Sequence, residues 1–122
     1  MNLRSLVDTL ERMPADAPVR FDSGIGVRGL GSWRGVYAEL TLYHCDERFH
    51  PDPITVAGLL LEAHDALNGK VFDGYKGGDF VMHEGTAVWG DDYGDYGCHG
   101  VMGAALTDGV VVLATADLSE YR

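Results

Sequence analysis

Two cysteines in this sequence each stand next to a histidine, an arrangement that could supply a nucleophile or part of a metal site. The pairs are His44-Cys45 and Cys98-His99. Adjacent residues of a strand point to opposite faces, so a pair of this kind rarely forms a catalytic dyad. The regular ligand spacing of a zinc finger is also missing. We therefore predict two buried thiols, no metal site, no cofactor and no catalytic residue, which favours a binding protein over an enzyme.

An arginine between aromatic residues is the first candidate for ligand binding, in the segment SWRGVY. A guanidinium donates parallel hydrogen bonds to a phosphate or carboxylate and also stacks on rings. The segment is typical of an anion clamp in which Arg34 binds the charge while Trp33 and Tyr37 supply flat surface. The alternative is an arginine that pairs with one of the many local carboxylates.

A glycine-rich segment around a lysine, GYKGGDF, is the second candidate. Tyr75 and Lys76 precede Gly77 and Gly78, whose amides can form an anion-binding nest. The spacing is that of neither a P-loop nor a dinucleotide-binding fingerprint. The segment predicts a phosphate contact, with Trp89 as a further ring for the ligand. The alternative is a plain turn with a solvated lysine.

Carboxylates and tyrosines alternate in the segment DDYGDYG, which contains Asp91, Asp92 and Asp95. The residue pattern of an EF-hand calcium loop is absent. The segment favours a hydrated acidic loop. In the alternative interpretation, these aspartates imitate nucleic-acid phosphates and block a basic groove on another protein.

The charge balance narrows the classes of partner. The 122 residues carry 9 Lys and Arg against 19 Asp and Glu, a net charge of −10. Such a field disfavours nucleic acid and anionic lipid. No apolar run approaches the roughly 18 residues that a membrane span needs, and no signal-peptide pattern is present. Several central cations could still form a local pocket for a small anion: Arg28, Arg34, Arg48, Lys70 and Lys76.

Hydrophobic periodicity predicts an α+β fold in one domain, residues 1–122, with two helices and a mostly antiparallel sheet of about six short strands. Helical stripes fall in residues 2–12 and after Thr55, a residue suited to an N-cap. Strand patterns fall at residues 19–21 and from Val36, where the side chains alternate between two faces. Short apolar runs follow Gly69, and TDG (residues 107–109) marks a hairpin.

Taken together, SWRGVYAEL and GYKGGDFVM, the helix between them, and the later Trp89 and Tyr93-Gly94 resemble a family of small proteins encoded by tailed bacteriophages. The resemblance covers roughly residues 20–97, and residues 98–122 are not part of it. It implies a protein that counters host defences in the cytoplasm of the infected cell. Several phage proteins with that role trap cyclic-nucleotide signals without cleaving them.

Two functions are therefore expected. In the first, the protein sequesters a small phosphorylated, nucleotide-type ligand without catalysis. In the second, its acidic surface docks on a basic, nucleic-acid-binding host protein such as a defence nuclease. Assembly into a homo-oligomer would help the first function, because a symmetric interface provides more surface to enclose a ligand.

Overall fold

Helices and strands follow one another in the order expected of an α+β protein. The computed structural model describes residues 1–33, 36–46, 48, 52–73, 79–90 and 99–117. The two helices in these ranges are α1 (Leu3–Leu10) and α2 (Val56–Leu67). The strands are β1 (Val19–Phe21), β2 (Val27–Trp33), β3 (Val36–His44), β4 (Val71–Asp73), β5 (Asp79–Val81), β6 (Val88–Gly90), β7 (His99–Thr107) and β8 (Val110–Asp117).

Six of these strands form one sheet in the order β1-β8-β7-β6-β3-β2, and β4 and β5 form a separate ribbon. The α+β class and the two helices are as the sequence predicts. The sheet itself is less antiparallel than expected, because β1 pairs with β8 and β3 with β6 in parallel. A parallel pair needs a long crossover, and α2 with the β4–β5 ribbon provides it between β3 and β6.

The two outermost strands of the sheet approach each other, which gives the sheet a nearly barrel-like curl. β1 and β2 are consecutive in sequence, and Arg20 forms an isolated bridge with Gly26. The Phe21 amide donates to the Ile25 carbonyl at 2.8 Å, which closes the turn between these strands. The bridge therefore joins the two ends of the sheet order at one corner.

Both helices form where the apolar stripes predict them. In α1, Asn2 caps the N-terminus by accepting from the Ser5 amide at 2.9 Å, and in α2 Thr55 accepts from the Gly58 amide at 3.2 Å. The buried stripe residues of α1 are Leu3, Leu6, Val7 and Leu10, and those of α2 are Val56, Leu59, Ala63 and Ala66. These stripes pack with the buried strand residues into one hydrophobic core.

The alternation along the strands separates a core face of the sheet from an outer face. Leu40 and Leu42 of β3 are fully buried in the core. Because successive side chains of a strand point to opposite faces, Thr41 lies on the other face. Its sheet partners share that face, and the resulting row across the sheet is Gly31, Thr41, Trp89, Gly100 and Ala116. We call the face that carries this row the outer face.

The C-terminal hairpin has the turn that its sequence predicts. Thr107 pairs with Val110, and the two residues between them, Asp108 and Gly109, have φ values of 52° and 79°. Positive φ at both central positions is the signature of a type I′ turn, whose twist matches that of the strands. This turn sets the register of β7 against β8.

Candidate functional site

Of the site residues that the sequence predicts, the structure describes the side-chain surroundings of one. Arg34, Tyr75, Lys76, Gly77 and Gly78 lie outside the described residues, as do Asp91, Asp92 and Asp95. Trp33 ends β2 and Tyr37 lies near the start of β3, with side chains outside the described part. Only Trp89, on β6, has its surroundings described. Those placements leave the predicted clamp and nest as predictions.

Trp89 lies in the middle of the outer face with its ring orientation set by a carboxylate. It pairs with Thr41 on one side and with Gly100 on the other. The indole Nε1–H donates to Oε2 of Glu39 at 2.9 Å. A charge-assisted hydrogen bond of this kind is stronger than a neutral one. The half-buried ring therefore has one fixed edge and small residues beside it.

A groove of about 260 Å³ opens beside Trp89 where β6 and β7 separate. Two side chains on the outer face flank it with Trp89, namely Ala87 and Met102, and Gly100 adds no side chain. Met102 is displaced outward by a bulge in β7 and is 64% exposed. The remaining lining residues are Met1, Val88 and Val101, which meet through backbone hydrogen bonds at the base of the groove.

Tyr43 forms a second aromatic surface on the outer face, across β2. Its hydroxyl donates to the Ser32 carbonyl at 2.7 Å. A Cβ at Gly31 would lie only 2.6 Å from Cε2 of the Tyr43 ring. The ring thus packs directly on the backbone of β2, which only glycine permits at this position.

An arginine stacks on this ring. Arg28 lies at a bulge of β2, between the paired residues Val27 and Gly29, and its Cζ is 5.4 Å from the centroid of Tyr43. The side chain is exposed. On the neighbouring strand, the Arg20 Nη1 donates to the Gly24 carbonyl at 3.1 Å. Both guanidinium groups therefore lie at the corner where β1 meets β2.

These two arginines differ from Arg4 and Arg48 in their partners. Arg4 pairs with Glu84 at 2.8 Å, and Arg48 lies 3.7 Å from Asp46. Within the described ranges, neither Arg20 nor Arg28 has a carboxylate within ion-pair distance. A guanidinium that is not neutralised by the protein can bind an external anion. Arg28 is one of the central cations that the sequence indicates, whereas Arg20 and Tyr43 carry no sequence signal, because only the curl of the sheet brings them together.

A buried thiol lies next to this corner. Cys45 is 6% exposed, and its Sγ is 3.6 Å from the Asp52 carbonyl oxygen. Burial raises the pKa of the thiol, and the nearby Arg20 and Arg28 oppose that increase without cancelling it. The prediction of a buried thiol is confirmed for Cys45, whereas Cys98 lies outside the described residues. A thiol held neutral by burial is a poor nucleophile.

Metal-ligating groups and histidines are the remaining side chains that could take part in chemistry. Those residues contain no group of three or more His, Cys, Asp and Glu side chains that could hold a metal ion. His64, on α2, is half exposed and its Nε2 lies 3.5 Å from Oε1 of Glu11 on α1. No described helix is long and apolar enough to cross a membrane.

No family model, curated protein or solved structure matches this chain.

Proposed function

We propose that this protein binds a small phosphorylated ligand of the nucleotide type and sequesters it without catalysis. The observation that carries the proposal is the pair Arg20 and Arg28, which have no carboxylate partner among the described residues although the chain has a net charge of −10. What distinguishes these two is that they lie together at the corner where β1 meets β2, close enough for both to act on the Cys45 thiol. Two guanidinium groups that no described carboxylate neutralises provide a local positive site there.

The stacking of Arg28 on Tyr43 suits this role. A guanidinium held over a ring still has N–H donors that the ring does not accept, and a phosphate oxygen can accept them. The rigid position of Tyr43 over Gly31 reduces the side-chain entropy that Arg28 would lose on binding. The arginine is therefore partly preorganised for an anion.

The net negative charge of the protein favours a small anion over a large one. A few local donors can hold one phosphorylated molecule, whereas a polyanion would meet the repulsion of the remaining carboxylates. Arg34 and Lys76, with the amides of Gly77 and Gly78, are the further contacts that the sequence predicts. Capture by mass action needs no reacting group, only affinity and abundance. In an infected bacterial cell, such capture would remove a nucleotide signal of host defence.

The second candidate function is docking on a basic host protein. The net charge of −10 favours it, and the sequence places the docking surface at Asp91, Asp92 and Asp95. In that case small phosphorylated molecules would not stabilise the protein. Neutralising the three aspartates would instead weaken binding to the partner.

Thermal unfolding with phosphorylated probes tests the first function. The probes are inorganic phosphate, pyrophosphate and the four common nucleoside 5′-monophosphates, at low salt. A ligand that binds only the folded state at about 100 times its Kd adds about 2.7 kcal/mol of stability. We expect at least one nucleotide to raise the Tm. We also expect the increase to shrink in Arg28→Ala, since a lost charge-assisted hydrogen bond of about 1.5–3 kcal/mol lowers affinity roughly 10- to 150-fold.

Arg12→Ala is the matched control. Arg12 follows α1, is exposed, and like Arg28 has no carboxylate partner in the described ranges. Its removal changes the net charge by the same amount at a distant position. If the ligand-induced increase in Tm fell equally in the two variants, the effect would come from net charge alone and the site would be refuted. Absence of any stabilisation by all six probes would refute the function and favour the acidic docking surface.

A further inference from the structure

A groove between Trp89 and Met102 opens on the outer face, apart from the arginine corner. We infer that this groove binds a flat aromatic ring, so the ligand is a phosphorylated molecule that carries a ring, such as a nucleotide, rather than a phosphate or a sugar phosphate. This inference rests on the proposed function and assigns a separate subsite to the ring.

The walls of the groove have the chemistry that a ring requires. Trp89 presents an indole whose plane is held by the hydrogen bond to Glu39 at 2.9 Å, so stacking on it costs little ordering entropy. Met102 faces it with an exposed thioether, and sulfur makes favourable contacts with aromatic rings. Ala87 and Gly100 keep the space between these two side chains open.

The local backbone explains why the groove exists. β6 and β7 pair only at Trp89–Gly100 and Gly90–His99. Beyond these pairs, the chain at Met1 enters between them: its nitrogen donates to the Val101 carbonyl at 3.0 Å, and its carbonyl accepts from Val88 at 3.0 Å. The Val88 amide and the Val101 carbonyl at the base are thereby satisfied. The side chains of Ala87, Trp89 and Met102 beside this base are apolar, which suits a ring.

The groove and the arginine corner lie on the same face but on opposite sides of Trp89. The groove extends along β6 from Trp89 to Ala87, whereas Tyr43 lies on the neighbouring strand β3, two residues beyond Thr41, the partner of Trp89. A strand spacing of about 4.8 Å and two residues of roughly 7 Å place the backbones of Trp89 and Tyr43 roughly 8 Å apart. Arg28 stands over Tyr43. A single ligand must therefore cross β3 to reach both the groove and Arg28.

The groove volume agrees with a ring and not with a larger apolar molecule. At about 260 Å³ it is slightly below the range of roughly 300–1,000 Å³ that is typical of sites enclosing a whole drug-sized ligand. It can hold one part of a ligand while the rest lies along the outer face. This division fits a molecule with an apolar end and a charged end.

The test uses the full chain labelled with ¹³C at the methionine methyl groups. The chain has 4 methionines, of which Met102 is 64% exposed and Met82 is 4% exposed in the core. A ring bound against Met102 shifts its methyl resonance by ring currents and leaves that of Met82 in place. The probes are AMP, UMP, adenosine and ribose 5-phosphate. The Met102→Leu spectrum assigns the signal.

We expect AMP or UMP to shift the Met102 methyl signal and ribose 5-phosphate to leave it unmoved. Met102→Ala should weaken nucleotide binding severalfold and leave ribose 5-phosphate binding unchanged. Leu106→Ala is the matched control, since it truncates another exposed apolar side chain of the same strand, 47% exposed and outside the groove lining. An equal loss in both variants would refute the subsite.

The outcomes separate this inference from the function on which it rests. One outcome would leave the anion site standing and show that the ring subsite is wrong. In that outcome ribose 5-phosphate binds as tightly as AMP, the binding of both depends on Arg28, and the Met102 signal does not move. If adenosine binds as tightly as AMP and shifts Met102, while Arg28→Ala changes neither, the ring subsite stands and the phosphate function is wrong. No shift with either nucleotide refutes the inference.

Discussion

The carboxylate of Glu62 on α2 accepts a hydrogen bond at 2.9 Å from the backbone amide of Leu30 in β2. The amide belongs to a residue that is only 8% exposed, immediately after the bulge at Arg28. A buried amide without a partner costs free energy, and β2 stands at one end of the strand order, where an outward-pointing amide has no neighbouring strand to donate to. Glu62 thus ties α2 to β2 next to the bulge that carries Arg28.

We predict that Glu62→Ala lowers the free energy of unfolding by about 1–3 kcal/mol, because it leaves the Leu30 amide unsatisfied. Gly29→Ala should act through the same contact, since its Cβ would lie 2.8 Å from Oε1 of Glu62. The two losses should therefore not add in a double-mutant cycle measured by urea denaturation. Gly103→Ala is the control, because a Cβ there meets nothing within 4 Å. Its effect should be additive with Glu62→Ala, and additivity for Gly29→Ala as well would disprove the coupling.

The packing of Tyr43 on Gly31 leads to a second prediction. Gly31→Ala should destabilise the protein by about 1–3 kcal/mol, because the added methyl overlaps a ring that its hydroxyl ties to Ser32. Tyr43→Phe removes only the hydroxyl and should cost about 0.5–1.5 kcal/mol. Gly31→Ala should also weaken phosphate binding, since it moves the surface under Arg28. Full stability and unchanged binding in Gly31→Ala would show that the ring shifts freely.

Asp22 gives the stability of the fold a pH dependence. Its Oδ2 accepts from the Thr115 amide at 2.9 Å and its Oδ1 from the Thr115 hydroxyl at 2.8 Å, and the amide contact is the main reason that the pKa of Asp22 is lowered. A depressed folded-state pKa stabilises the protein above the unfolded value, about 3.9, and this contribution disappears as the pH falls through the folded value.

We therefore expect Asp22→Asn to be less stable than the parent protein at neutral pH and to approach it in acid. Tm measured from pH 7 down to pH 2 checks this. Asp16→Asn removes one exposed carboxylate elsewhere and should show no comparable convergence. A stability gap for Asp22→Asn that is constant with pH would mean that the carboxylate charge does not matter.

Cys45 should be chemically inert in the folded protein. Burial both raises the pKa of its thiol and blocks access to it. In a Cys98→Ser background, we expect Cys45 to react with a disulfide reagent far more slowly in buffer than in urea. In destabilised variants, the reaction of Cys45 in buffer should become faster as the free energy of unfolding decreases. Rapid reaction of the folded protein would contradict the burial.

The sequence predicts those parts of the fold whose signals are local. The stripes of α1 and α2, the cap at Thr55 and the Asp108-Gly109 turn each lie within a few residues, and each occurs where expected. The sequence gives no strand pattern for the glycine-rich residues that form β2. Its glycines make room for Glu62 and for Tyr43, and such distant partners leave no local pattern.

The same distinction applies to the candidate site. Trp89 stood out as an aromatic residue near a glycine-rich segment, and the structure gives it a groove. Arg20 gave no signal, because its sequence neighbours form an ordinary short strand. It becomes a candidate only when the sheet curls and places it beside Arg28. A bulge and a strand pairing decided this, and neither is encoded in a short segment.

The parallel pairing of β1 with β8 has a consequence for how the chain folds. It joins residues 19–21 to residues 111–113, so β1 cannot complete its ladder until about ninety further residues have been made. During synthesis, Val19 and Phe21 would remain unpaired on one side while the ribosome makes the rest. Topologies dominated by such distant pairings fold in about milliseconds to seconds rather than microseconds. The ladder of β1 therefore waits for the hairpin of β7 and β8, whereas β2, β3 and β6 can pair before that hairpin is made.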